Sequence, residues 1–179
     1  MVAQRIDQPP DRPAIEEVWD WLRAVPDPEV PVVSVVDLGI VRDVRWEPAA
    51  EGDELVVTIT PTYSGCPATQ LIEEEIVAAL RAQGITLLRM ETRLSPAWTT
   101  DWLSDAAKEK LREFGIAPPA QQVIAIQSIG RGQTEPPTVS CPRCGLTHTR
   151  LTSWFGSTPC KAMYQCSECL EPFDYFKSH

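Results

Sequence analysis

The sequence predicts an α+β fold: a small mixed sheet packed with helices, followed by a zinc-ribbon-like β module. Three observations predict it. Apolar stripes at helical spacing alternate with short apolar or alternating runs joined by hairpin-length links, which favours α+β over a doubly wound parallel sheet. Two CxxC pairs, Cys141/Cys144 and Cys166/Cys169, stand near one end of the chain. The composition also breaks. Residues 1–130 hold 21 acidic and 11 basic side chains, residues 131–179 hold 4 and 5, and five of the six cysteines lie in the second part. The Gly- and Pro-rich segment 130–138 has linker chemistry. The expected division is an α+β domain over 1–130, a linker over 131–137 and a four-cysteine zinc-ribbon-like module over 138–179.

Each element has its own signal. Pro13 suits a first helical turn with Asp11 at the cap, and Ile15, Val18, Trp19, Leu22 and Val25 then form one apolar stripe until Pro26 and Pro28 stop the helix. Ile40–Trp46 alternates as a half-buried strand should, and Glu54–Pro61 reads as its hairpin partner across the turn-rich Glu47–Asp53. Pro67 fits the first position of a second helix with Cys66 as N-cap, an apolar face of Leu71, Ile72, Ile76, Ala79 and Leu80, and Gly84 as its stop. Ile85–Leu94 is a third strand. Thr99–Phe114 is a third helix with Leu103, Ala107, Leu111 and Phe114 on one face, and Val123–Ile126 is a last strand.

The paired CxxC spacing is the strongest chemical signal. Two residues between cysteines let both thiolates reach one ion from a tight knuckle, and two knuckles supply a tetrahedron of sulfur. Cys141, Cys144, Cys166 and Cys169 are therefore the expected ligands of a structural zinc, with mononuclear iron or an iron–sulfur cluster as alternatives that accept the same four thiolates. Four filled positions leave none for a substrate. A module this small buries little apolar surface, so the metal belongs to its fold. Cys160 is either a small buried ribbon residue or an alternative, transient ligand. His148 is expected outside the metal site.

Cys66 is the lone cysteine of the acidic part. At a helix N-terminus, unpaired N–H groups and the helix dipole stabilise a thiolate. Such a thiol can hold iron, pass a cluster or act as a nucleophile, whereas the plainer reading is a small buried cap. No Cys/His dyad accompanies it, which weakens a cysteine-hydrolase reading. Trp98 and Trp102 are either a docking patch or two core aromatics.

Several stretches also carry a resemblance. Asp27–Pro31, Ser34–Val41 and Pro61–Pro67 resemble the iron–sulfur-assembly domain of SufT-like proteins. Trp98–Trp102, Phe114–Pro119, Phe155–Thr158, Cys160–Ala162 and Glu171–Lys177 resemble the family of D subunits (also lettered J) of the bacterial phenylacetyl-CoA epoxidase, or phenylacetate-CoA oxygenase. The resemblance implies an accessory or maturation role in aerobic phenylacetate degradation, without a reaction of the chain's own. It implies an oxygenase component and an iron–sulfur flavin reductase as partners, and transient iron or an iron–sulfur cluster as cargo. It also favours Cys66 as a functional thiol, with the turn carboxylate of Asp37 as a weaker second candidate. Many members of that family carry a cysteine where this chain has Ser178, so a pairing of Cys160 with that position is in doubt here. A stable structural subunit of the oxygenase complex and a thiol enzyme using Cys66 are the competing readings. A homodimer is left open.

Composition removes other classes. At 179 residues with 43% hydrophobic side chains the chain can bury a normal core. It has no apolar run near the roughly 20 residues needed to cross a bilayer, and its first residues show no apolar leader. The net charge of −9 is the wrong sign for gripping nucleic acid, and the ribbon at +1 lacks a basic stripe. Six cysteines without an export signal point to the cytoplasm, where thiols serve metals or chemistry.

Overall fold

The computed structural model describes residues 12–63, 65–119 and 136–177. The expected cap Asp11, the strand expected at Val123–Ile126, the linker residues 131–135 and Ser178 lie outside them. The fold is α+β, with a three-stranded mixed sheet covered by helices and a four-stranded sheet that includes the cysteine ribbon.

Helix α1 (Ile15–Arg23) buries Val18 and Leu22 fully, with Ile15 and Trp19 packed against the same core, so the predicted stripe is its inner face. Residues 26–39 form a chain of turns rather than a strand, because their carboxylates and hydroxyls bond backbone N–H groups. Asp27 Oδ1 accepts from Glu29 N–H (2.9 Å) and Val30 N–H (2.8 Å), and Ser34 and Asp37 cap one another's amides at 3.0 and 3.1 Å. Strands β1 (Val41–Ala49) and β2 (Gly52–Ile59) form the expected antiparallel hairpin, with Val44 opposite Val57 and Trp46 opposite Leu55. Helix α2 (Thr69–Ala82) crosses over so that β3 (Leu88–Thr92) pairs in parallel with β2. Its inner face is Ile72, Ile76 and Leu80; Leu71 points outward, because it falls a turn-fraction off the i, i+4, i+8 row.

The predicted third helix is broken in two. A 3₁₀ turn covers Thr100–Trp102, and helix α3 begins afresh at Asp105–Phe114. Ser104 is the reason: its hydroxyl accepts the Ala107 N–H at 3.0 Å, a strong N-cap, and its own N–H donates to Asp37 O. Leu103, Ala107 and Leu111 are buried as predicted, whereas Phe114, in the last turn, is exposed.

Strand β4 (Ile116–Ala117) leaves α3 and pairs in parallel with Asp174 and Tyr175 of the last strand. The ribbon itself is β5 (Thr149–Ser153), β6 (Lys161–Cys166) and β7 (Pro172–Phe176), antiparallel throughout, giving the order β4-β7-β6-β5. Its small core is Tyr164, Tyr175, Phe173, Ala162 and Val139. Cys160 and Phe176 turn the other way and join the core of the helical part.

The outer face of the first sheet carries a network of ion pairs. There Arg45 pairs with Asp43 (2.7 Å), Glu47 (2.7 Å) and Glu91 (2.9 Å), while Arg89 pairs with Glu54, Glu47 and Glu91. These pairs are part-exposed and individually worth little. Among the described residues no helix is long and apolar enough to cross a membrane.

Gly39 ties the turn region to the 3₁₀ turn. Its φ is +66°, and a Cβ there would lie 2.7 Å from Trp102 O and 2.8 Å from Trp102 Cβ. Gly84 also has positive φ (+90°), but nothing lies within 4 Å of its Cβ position. Gly39→Ala is therefore expected to lose roughly 2–5 kcal/mol through strain plus overlap, and Gly84→Ala only about 1–2 kcal/mol through strain. Urea unfolding of the two variants checks this, and equal losses would show that the Trp102 contact carries no weight.

Candidate functional site

The two knuckles are built alike. Cys141 N–H donates to Leu146 O (2.9 Å), and Cys166 N–H to Glu171 O (3.0 Å). The residue after each second cysteine has left-handed φ, Gly145 at +76° and Leu170 at +63°. Glycine takes that conformation freely; leucine does so at a cost, so the second knuckle stores strain that the first avoids. The four sulfurs lie within 4.8 Å of one another. Cys141 Sγ is 3.7 Å from Cys169 Sγ, and Cys144 Sγ is 3.6 Å from Cys166 Sγ. Zn–S bonds of about 2.3 Å in a tetrahedron give sulfur–sulfur edges of about 3.8 Å, so donor type and spacing both fit one four-thiolate ion. The backbone N–H groups of Cys169 and Glu168 draw the Cys166 thiol down to about 7. The Leu146 amide lowers the Cys144 thiol, yet burial and the three neighbouring thiols outweigh it and push it up to about 12. His148 stands apart on the surface, with Nδ1 2.9 Å from Glu168 Oε1.

A second group of polar side chains lies where the ribbon meets the helical part. Cys66 is not the N-cap of α2. The regular helix starts at Thr69 after Ala68, and Cys66 instead closes the turn before it, its carbonyl accepting from Thr69 N–H (3.2 Å) and Thr69 Oγ1 (2.9 Å). Cys66 and Cys160 line one narrow cavity together with Asp27, Glu29, Ile72 and Phe176. Cys160 is buried, with Sγ 3.0 Å from Thr158 Oγ1 and 3.7 Å from Glu29 Oε2. The Tyr63 phenol is hydrogen-bonded to Cys66 and pushed up to about 12 by burial and by the nearby charges of Cys66, Glu29 and Cys160. Burial likewise pushes the Cys160 thiol up to about 11, and it raises Asp27 against the pull of the Val30 and Glu29 amides. Glu29 rises through burial and the charge of Asp27.

Asp37 is not among the residues lining this cavity. Its Oδ2 accepts from Ser34 N–H (3.1 Å) and from Lys110 Nζ (2.6 Å). Partial burial disfavours its charge, but Lys110 and Ser34 outweigh that and hold the carboxyl below the usual range. Trp98 is buried, donates Nε1–H to Leu38 O at 2.9 Å and sits 6.2 Å from the Phe176 ring. Trp102 is partly buried, with the Arg42 guanidinium 3.5 Å from its ring centroid. Both tryptophans therefore belong to the packing. Sequence reasoning passed over Asp27 and Glu29 as site residues. They stand in the Asp27–Pro31 motif, where two carboxylates in a Pro-bounded turn were the available signal.

Known proteins resemble the chain in two parts and as a whole. Residues 15–84 match the family model described as "Iron-sulfur cluster assembly protein", and residues 127–177 match that described as "PaaD zinc beta ribbon domain". The chain is 47% identical over 165 residues to the protein of Escherichia coli (strain K12) named as the D subunit of 1,2-phenylacetyl-CoA epoxidase, covering 92% of this chain and 93% of that one. It is 33% identical over 94 residues to the Fe-S protein maturation auxiliary factor YitW of Bacillus subtilis (strain 168), covering 52% of this chain and 88% of that one. The solved structure of a domain of unknown function, DUF59, from Bacillus anthracis is 31% identical with a TM-score of 0.47, covering 54% of this chain and 89% of that one.

The Asp37–Lys110 pair has a pH signature. The Asp37 carboxyl is lower in the folded chain than unfolded, so the pair stabilises above about pH 4 and fades as pH falls through the depressed value. Lys110 is 47% exposed, so solvent screening limits the gain to about 1 kcal/mol or less. Asp37→Asn is expected to cost that much at pH 7, with the difference shrinking in denaturation curves taken toward pH 3.

Proposed function

The chain belongs to the family of 1,2-phenylacetyl-CoA epoxidase D subunits, and we propose that it is an accessory maturation factor of that multicomponent epoxidase in aerobic phenylacetate degradation. In this reading it helps iron or iron–sulfur centres reach the oxygenase component or its iron–sulfur flavin reductase, in the cytoplasm, and turns over no substrate itself. The observation that carries the reading is the identity of 47% over 92% of the chain. The match of residues 15–84 to an iron–sulfur cluster assembly model supports the maturation part of it.

The proposed division of labour follows the two units, 1–130 and 138–179 across a linker at 131–137. Cys141, Cys144, Cys166 and Cys169 hold a structural zinc, which supplies the folding energy that the small ribbon core lacks. Cys66, half-buried in the cavity, is the working thiol that handles the cargo. The bonds of Asp37 to Ser34 and Lys110 support its role as a loop cap over one as an iron ligand. A scaffolding component that stays in the oxygenase complex is the alternative reading. It predicts a stoichiometric complex surviving size exclusion, where maturation predicts transient, sub-stoichiometric contact.

Two measurements test this function. The protein purified anaerobically is expected to hold about one zinc per chain, lost in Cys144→Ser; visible iron–sulfur absorption lost in that variant would replace zinc by a cluster. The epoxidase components produced without this protein, or with its Cys66→Ser variant, are expected to show reduced iron, acid-labile sulfide and turnover. Unchanged metal content and activity would overturn the maturation role.

A further inference from the structure

The three-stranded sheet ends on an open edge. Its order is β1-β2-β3, and β3 pairs on one side only, in parallel with β2. That pairing uses alternate residues: Leu87 O accepts from Leu55 N–H at 2.9 Å, and Arg93 N–H donates to Ile59 O at 2.8 Å. The N–H and C=O groups of Leu88, Met90 and Thr92 therefore point away from β2, and among the described residues no strand meets them. Such an edge is a template for another strand. Beside it a groove of about 440 Å³ runs between β3 and the flank of α2. Its lining changes along its length, from Glu73 and Glu74 through Val77, Ala78 and Met90 to Arg81. Glu73 marks the Thr92 end, because its Oε1 accepts from Thr92 Oγ1 at 2.7 Å. A helix that crosses over between parallel strands runs antiparallel to them, so Arg81, about two turns on, stands at the Leu88 end. Among the described residues Arg81 makes no ion pair.

We propose that this edge is the interface of a homodimer, in which β3 pairs antiparallel with β3 of a second copy about a two-fold axis at Met90. The strand is self-complementary in that register. Met90 meets Met90, Leu88 meets Thr92 and Arg89 meets Glu91, so every outward N–H and C=O of Leu88, Met90 and Thr92 finds a partner. Arg89 and Glu91 lie on the outer face, where unlike charges opposite one another are favourable and where both already belong to the ion-pair network. On the inner face the two-fold lays the Arg81 end of one groove against the Glu73–Glu74 end of the other. It also brings Val77, Ala78 and Met90 of both copies together at the centre. A parallel arrangement would set like ends side by side. This matching of the strand and groove to themselves is what selects a second copy over a foreign strand. The product is one continuous sheet in which neither copy keeps an open edge at β3. None of the groove residues lines the Cys66 cavity at the seam of the ribbon and the helical part, so the pairing does not use that cavity. The dimer stands independently of the maturation reading.

Sedimentation equilibrium of the full chain at low ionic strength tests it. A species of twice 19.9 kDa is expected, and a monomer at micromolar concentration overturns the proposal. Met90→Pro is the sharpest variant. The Met90 N–H takes no part in the pairing with β2, so proline is tolerated there on an open edge but not inside a continuous sheet. That variant should be a monomer with unchanged far-ultraviolet circular dichroism, and a dimer that survives it overturns the interface. Should Met90→Pro lose its fold, charge reversal on α2 decides, because Arg81 and Glu74 are both exposed and outside the core. Arg81→Glu is expected to weaken dimerisation roughly tenfold, since it turns both attractive ends of the interface repulsive. Adding Glu74→Arg to it should recover part of that loss. A dimer indifferent to Arg81→Glu, or a double variant no tighter than the single one, overturns the proposal.

Discussion

Phe176, the last residue of the ribbon's last strand, packs on Trp98, whose indole N–H is bound to the carbonyl of Leu38. This contact and the short pairing of β4 with β7 fasten the ribbon to the helical part. Everything of chemical interest outside the four-cysteine cluster depends on it. Without it Cys160 would face solvent beside its ribbon, and the cavity beside Cys66 would lose one wall. The contact also explains the two tryptophans: Trp98 anchors the ribbon, and Trp102, beneath Arg42, packs so closely on the 37–39 turn that only glycine fits at 39.

The two thiol sites differ in ways that follow from their construction. The ribbon cluster is made by short-range geometry, with two four-residue turns of the same hydrogen-bond pattern facing each other across a hairpin. The seam is made by long-range packing, and its groups resist negative charge: the Cys160 thiol, the Tyr63 phenol and the Asp27 and Glu29 carboxyls are all pushed upward, with burial first among the causes. A buried set of acids is costly unless a cation or protons neutralise it.

The elements legible in the sequence were those written in local periodicity. The stripe Ile15, Val18, Trp19 and Leu22, the alternation before Trp46 and the run Leu55–Ile59 all became the inner faces they implied. The readings that shifted did so where a short polar side chain redirected the backbone. Ser104 capped a new helix and split the one expected over Thr99–Phe114. The turn from Cys66 to Thr69 displaced the start of α2 and took Cys66 off its cap. Leu71 and Phe114 are expected on inner faces by hydrophobicity, but Leu71 falls off the buried row of α2 and Phe114 stands in the last turn of α3, where it is exposed.

The fold class, the strand and helix order through α2, the clustering of the four ribbon cysteines and the family are all written in the linear order of residues. Each is encoded in residues close together, or in a spacing that only one geometry satisfies. What surrounds Cys66 was settled by packing alone. Cys160 comes to it from the ribbon and Asp27 and Glu29 from one turn after α1, and no local pattern records that the far side of a ribbon strand will pack on a turn of another unit. The −9 charge divides in the same manner: its sign was plain in the composition, but only packing set Asp27 and Glu29 at a cavity lined by two thiols and placed Asp43, Glu47, Glu54 and Glu91 in ion pairs on the first sheet.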